Sequence, residues 1–170
     1  MNQEIDQNYN AAWMLRAVEL SEIAYKSGKG LPIGCVITRN GEIIGEGHNE
    51  VFKRLNPTAH AEMVAIEKAC EKTASVQLSG CELYTTVEPC PMCLAAIYWA
   101  KIDKVYYVNT SQQVVEYGFD DSFIFGELKK NAQERKITSV QVSEPNAMYV
   151  LQRWKNADDA AAYPWDEKGI

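Results

Sequence analysis

Two short runs constrain this chain more than anything else in it: Pro57-Thr58-Ala59-His60-Ala61-Glu62 and, later, Pro89-Cys90-Pro91-Met92-Cys93. Together they offer an imidazole, two thiols and a carboxylate. A structural zinc is normally closed by four Cys or His ligands, whereas a catalytic zinc takes three and leaves one position to water. His60, Cys90 and Cys93 make three, and no fourth Cys or His is paired with them in sequence, so the set predicts an open metal site. Thiolate softness favours zinc over a harder divalent ion. A lone Cys-x-x-Cys is often redox-active or a fragment of a structural site, and a lone His-x-Glu arises by chance. Structural zinc, or no metal, therefore stands as the alternative.

Local physics favours the catalytic reading. Cys90 and Cys93 are three apart, which puts both thiols on one helix face. Pro91 suits a first turn, where the N–H it lacks would have no partner. Cys90 is then the cap, and the positive end of the helix lowers its thiol pKa. On the other run, Pro57 breaks the preceding segment and Thr58 is expected to be the N-cap. His60 and Glu62, two apart, diverge on a helix seen from the side. They converge only if the helix meets the metal end-on, and Glu62 then stands beside an activated water as a proton carrier.

At 170 residues the chain suits one domain with a single core. No apolar run is long enough to span a membrane, and the polar, acidic stretch from Met1 to Asn10 is not a signal peptide. Of five cysteines, Cys35, Cys70 and Cys81 read as small buried apolar residues, which predicts a reduced, cytoplasmic setting. The net charge is −6, and only Lys129-Lys130 puts two cations together. Binding a polynucleotide normally needs a basic stripe, so a small neutral substrate is expected instead of nucleic acid.

The periodicity predicts a helix through Trp13, Ala17, Leu20 and Ala24, with Met14 and Val18 beside them, ending near Ser27-Gly28. Strands over Ile33–Thr38 and Glu42–His48 flank Asn40-Gly41, a hairpin turn, with Gly45 and Gly47 weakening the second strand. The first metal helix runs through Met63, Ile66 and Cys70. A strand over Cys81–Thr86 leads to the second metal helix, Pro91 to about Lys101, with Trp99 expected in the core. Lys104–Asn109 and Thr138–Val142 are further expected strands, and Met148–Ala162 a last helix anchored by Leu151 and Trp154. Alternating strands and helices give a three-layer α/β/α sandwich.

His60-Ala61-Glu62 with Pro89-Cys90-Pro91-Met92-Cys93 resembles the zinc-dependent cytidine deaminase-like superfamily of nucleobase deaminases. The likeness runs from about Leu31 to about Lys129 and more weakly beyond. It implies a five-stranded mixed sheet, one Zn2+ per subunit with an activated water as fourth ligand, and a homodimer. It also implies that Asn49 and the Ala61 backbone N–H orient the base and that Glu62 shuttles protons. Gly118-Phe119-Asp120-Asp121-Ser122-Phe123 is similar to a segment of the bacterial guanine deaminases within the superfamily, where the second acid binds the guanine edge. That implies Asp121 here, although either aspartate could simply cap the following helix. Ile33 in Pro32-Ile33-Gly34 takes the place of an aromatic that packs on the base, a departure that looks more like cytosine or tRNA adenosine deaminases. Tyr163 is the nearest match to a pocket-closing tyrosine, within an arm of about 145–170 that exchanges between subunits. The implied reaction is hydrolysis of guanine to xanthine and ammonia. Deamination of cytosine, a triazine or guanosine, tRNA adenosine deamination, and a zinc-stabilised interaction module are the competing readings.

Overall fold

The computed structural model describes Asp6 and residues 8–157. The chain divides into two units, Met1–Phe125 and Gly126–Ile170.

In the first unit, helix α1 (Ala11–Ser27) starts where Asn10 Oδ1 accepts the Ala12 N–H at 3.0 Å, and stops at Gly28, left-handed with φ 64°. Its buried stripe is Met14, Ala17, Leu20 and Ala24. Val18, expected beside them, is exposed, because Ala17 takes the core side of that turn. Strands β1 (Gly34–Arg39) and β2 (Glu42–His48) form the expected hairpin. Asn40 and Gly41 both have positive φ, 52° and 79°, as a two-residue turn between twisted strands requires. A short helix α2 (Val51–Arg54) precedes α3 (Ala61–Thr73). Then come β3 (Cys81–Val87), α4 (Pro91–Trp99), β4 (Lys104–Asn109), a 3-10 turn (Gln112–Tyr117) and α5 (Ser122–Leu128), whose residues from Gly126 on belong to the second unit.

The sheet order is β2-β1-β3-β4. β1 is antiparallel to both neighbours, and β3 runs parallel to β4. Alternation along the strands sends side chains to two layers. Val36 and Tyr84 meet Met14, Ala17 and Leu20 of α1. Cys35, Ile37 and Leu83 meet Ala61, Ala65 and Ala69 of α3 and Ile97 of α4. Helices therefore cover both faces. Among the described residues the sheet has four strands, not five. The segment Thr138–Val142 is not a strand: Val140 and Val142 are exposed, and no ladder partner satisfies their backbone among the described residues.

The glycines of β2 weaken no contact; they create one. A Cβ on Gly47 would stand 2.2 Å from the Ala61 carbonyl oxygen, and one on Gly45 would stand 2.3 Å from that of Ala65. The missing side chains let the backbone of α3 lie directly on the strand, which fixes the first turn of α3 in space.

The second unit contains a 3-10 turn (Ala132–Glu134), closed by a capping box with Asn131, and α6 (Pro145–Lys155), begun by the Glu144 carboxylate accepting the Asn146 N–H. Leu151 and Trp154, expected as anchors, are exposed, so the described part of α6 buries neither.

Gly47→Ala forces a methyl group against main chain rather than a yielding side chain. We expect it to lower the unfolding free energy by about 1–3 kcal/mol, read from urea denaturation, with Gly41→Asn as a tolerated control in the positive-φ turn.

Candidate active site

The two motif runs meet because each ends in a helix N-terminus. His60 is the N-cap of α3 and Cys90 the N-cap of α4, both in extended conformation and neither spending its side chain on a capping bond. Pro91 opens α4, as its ring dictates. The expected Thr58 cap is displaced. Asn56 Oδ1 takes both the Thr58 N–H (2.9 Å) and its hydroxyl (2.8 Å), which holds Thr58 in the turn before the helix.

His60 Nδ1 lies 3.6 Å from Cys90 Sγ and 3.5 Å from Cys93 Sγ. Sulfur and nitrogen ligands of one tetrahedral zinc lie about 3.5 Å apart at ordinary bond lengths. All three donor atoms fall within 4.8 Å of one another, and the residues fit the ion. Cys93 donates to Cys90 and, with His60 assisting, pulls the Cys90 thiol down to about 4 against the desolvation of its site. Cys93 is itself pushed far up by that same bond and by burial. Cys90 is thus the thiolate of the pair, and its charge raises the His60 imidazole.

Glu62, in the first turn of α3, is 4% exposed. Its Oε1 accepts the Thr85 hydroxyl at 3.1 Å, and its Oε2 lies 3.5 Å from Cys93 Sγ. Burial first, then the Cys90 charge, lift its carboxyl above the ordinary value of 4.5. His60 and Glu62 converge because the helix meets the site end-on.

A cavity of about 170 Å³ opens over this group. Leu31, Ile33 and Val114 form apolar wall, while His60, Glu62, Glu88, Cys90, Asp120 and Asp121 supply polar groups; among the described residues no Lys or Arg lines it. The paired aspartates separate cleanly. Asp120 Oδ1 accepts the Ser122 N–H at 3.0 Å, and the Asp121 carbonyl takes the first N–H groups of α5, those of Ile124 and Phe125. Asp121 is left to the cavity, its carboxyl raised by desolvation and then by the Cys90 charge.

Asn49 stands one layer behind the wall and is not part of the lining. Its Oδ1 accepts the N–H of Leu31 and of Val51, both at 3.2 Å, and its backbone N–H donates to the Ile33 carbonyl at 3.0 Å. Its Nδ2 is buried without a partner. Gly30 permits this: a Cβ there would stand 1.9 Å from the Asn49 carbonyl oxygen. Ala61 is fully buried at the first position of α3, where the backbone N–H has no intrahelical acceptor. His48 pairs with Glu50 at 3.6 Å and belongs to no metal-holding group among the described residues. Trp99, expected in the core, is half exposed and does not line the cavity. Tyr163 lies outside the described residues. Sequence reasoning missed Thr85, Glu88 and Val114. For Thr85 the available signal was a polar residue ending an apolar strand; for Glu88 it was a charge directly before Pro89-Cys90.

A buried carboxylate beside an open His/Cys/Cys set is the equipment of a zinc-dependent hydrolase. Residues 7–109 match the cytidine and deoxycytidylate deaminase zinc-binding region, and the chain belongs to that family of zinc-dependent deaminases. It is 45% identical over 151 residues to a guanine deaminase of Bacillus subtilis, a span that takes in 89% of this chain and 97% of the relative. The crystal structure of guanine deaminase from Bacillus subtilis is similar with a TM-score of 0.87 and 44% identity, over 91% of this chain and 99% of that one. A tRNA-specific adenosine deaminase of Aquifex aeolicus is 44% identical, but over 54% of this chain and 60% of the relative.

Cys and His must be unprotonated to hold zinc, so binding releases protons and weakens as pH falls. Dialysis against a mild chelator at pH 5 should strip zinc faster than at pH 8, read by metal analysis. Cys93→Ser should lose most of the metal at either pH.

Proposed function

We propose that this enzyme hydrolyses guanine to xanthine and ammonia. The observation that carries the substrate is Asp121, a carboxylate set in the cavity wall while its neighbour Asp120 is occupied by the Ser122 N–H. Guanine presents N–H donors along its Watson–Crick edge, and a carboxylate accepts them. The near full-length likeness to a guanine deaminase supports the same choice. Absence of Lys and Arg from the described lining disfavours a phosphorylated substrate.

Zinc, when bound, supplies a Lewis acid that brings the pKa of a coordinated water to ~7. The remaining work belongs to the chain. Glu62, held by Thr85, takes one proton from the attacking water and delivers it to ring N3; it then takes the second proton from the new C2 hydroxyl and gives it to the amine, which leaves as ammonia while the C2 carbonyl forms. Burial raises its carboxyl above the ordinary value, which favours a group that takes a proton and gives it back. Asp121 accepts from the base edge and assists the second transfer. Ile33 packs on the ring in place of an aromatic. The unpartnered Nδ2 of Asn49 offers a donor, and the Ala61 N–H a second.

We further infer that the whole chain acts as one enzyme domain, as a cytoplasmic homodimer in purine metabolism. In that dimer the arm of about 145–170 exchanges between copies and Tyr163 closes the pocket. Exposed Tyr107 and Val108 on β4, and exposed Met148, Leu151 and Trp154 on α6, support an interface that a single copy leaves uncovered.

Ammonia release from guanine, guanosine, cytosine and adenine should be seen with guanine alone; turnover of another base in its place overturns the assignment. Glu62→Gln should retain zinc and lose about 10²–10⁴-fold in kcat; full activity in that variant removes Glu62 from the proton path.

A further inference from the structure

The last paired residues of β3 and β4 are Val87 and Asn109. Beyond them the strands part, β3 turning into Pro89-Cys90 and β4 into Thr110. The parting is held by three hydrogen bonds. Asn109 Nδ2 donates to the Thr86 carbonyl at 2.8 Å. The Glu88 N–H donates to the Asn109 carbonyl at 2.8 Å. The Ser111 N–H donates to Glu88 Oε2 at 2.9 Å. Glu88 makes two of these, one with its main chain and one with its carboxylate, and it also lines the cavity.

Past Ser111 the chain builds the opposite wall of the site. The 3-10 turn Gln112–Tyr117 buries Val114, and Gly118, left-handed at φ 87°, sends the chain back toward the cavity with Phe119, Asp120 and Asp121. Thr110 and Gln113 close the turn on themselves: Gln113 Oε1 accepts the Thr110 N–H at 2.8 Å and its hydroxyl at 3.1 Å. The turn is therefore a preformed unit, and its placement depends on what holds its first residues. Glu88 sits two residues before the metal ligand Cys90 and grips the first residues of that unit.

We propose that Glu88 is a positioning residue for the reaction. By fixing the Ser111 N–H it sets the 109–121 wall, and with it Asp121, at a defined distance from the helix that carries Cys90 and Cys93. The role rests on the deaminase reading of the site and on Asp121 touching the base. Glu88 itself carries no proton in the reaction.

The test uses full-length, zinc-loaded protein. Glu88→Ala removes the acceptor, Glu88→Gln keeps an oxygen for the Ser111 N–H, and Ser111→Pro removes the donor at a residue whose φ of −52° proline accepts. Expected results are a KM for guanine raised about tenfold in Glu88→Ala at unchanged zinc content and a kcat within about threefold, a magnitude matching the loss of one hydrogen bond to a charged group. Glu88→Gln should restore most of the affinity. The Glu88→Ala/Ser111→Pro double variant should be no worse than the poorer single, since both delete one link. Amide hydrogen exchange supplies a readout that needs no substrate: peptides covering 109–121 should exchange faster in Glu88→Ala while those covering 81–87 do not. An unchanged exchange rate, additive losses in the double variant, or a Glu88→Gln as impaired as Glu88→Ala each overturn the positioning role. If wild-type protein fails on guanine, the substrate assignment falls, and the exchange experiment still decides the part played by Glu88.

Discussion

Everything in this molecule depends on two helix N-termini being brought to one point. A helix begins with backbone N–H groups that have no partner and carry partial positive charge. α3 and α4 each place a metal-ligating side chain at that end, His60 on one and Cys90 on the other. The two ends set partial positive charge beside the Cys90 thiol, which favours its thiolate. The sheet exists, in functional terms, to hold those ends together: β2 carries α3 through its glycines, and β3 runs straight into the loop that starts α4. The buried Glu62 is tolerable only there, between the Thr85 hydroxyl and the ligand set. An unpaired carboxyl at such depth elsewhere would stay neutral and idle.

Much of this was legible in the residues, because it comes from local rules. The turn at Asn40-Gly41, the stop at Gly28, Pro91 opening α4 and the strand Lys104–Asn109 all stand where backbone chemistry puts them. The ligand set was legible for the same reason, since three donors on two capped helices are a local statement made twice. What could not be read was anything decided by tertiary competition. Thr58 loses the cap because Asn56 reaches it first. Val140 and Val142 have the composition of a strand but no partner edge among the described residues. Asp120 and Asp121 are chemically alike, and which carboxylate the Ser122 N–H occupies is decided by the path of the loop. Gly45 and Gly47 look like weak points in a strand until the helix lying on them is known.

The site is assembled in shells of different origin. The ligands and Glu62 come from helix starts, where position is set by backbone geometry. The wall that faces them comes from a turn and a loop, where position is set by side-chain grips such as those of Glu88 and Gln113. The metal ligands thus come from helix ends, and the facing wall from turn and loop residues. This division lets related chains act on different bases around one metal centre.

Asn49 shows how firmly main chain can fix the sense of a buried side chain. Two backbone N–H groups, from Leu31 and Val51, occupy its Oδ1, so its amide cannot turn over without leaving both stranded. The main chain has therefore chosen the polarity of this side chain: it can give hydrogens toward the Nδ2 side and can take none. A ligand meeting it must bring a lone pair.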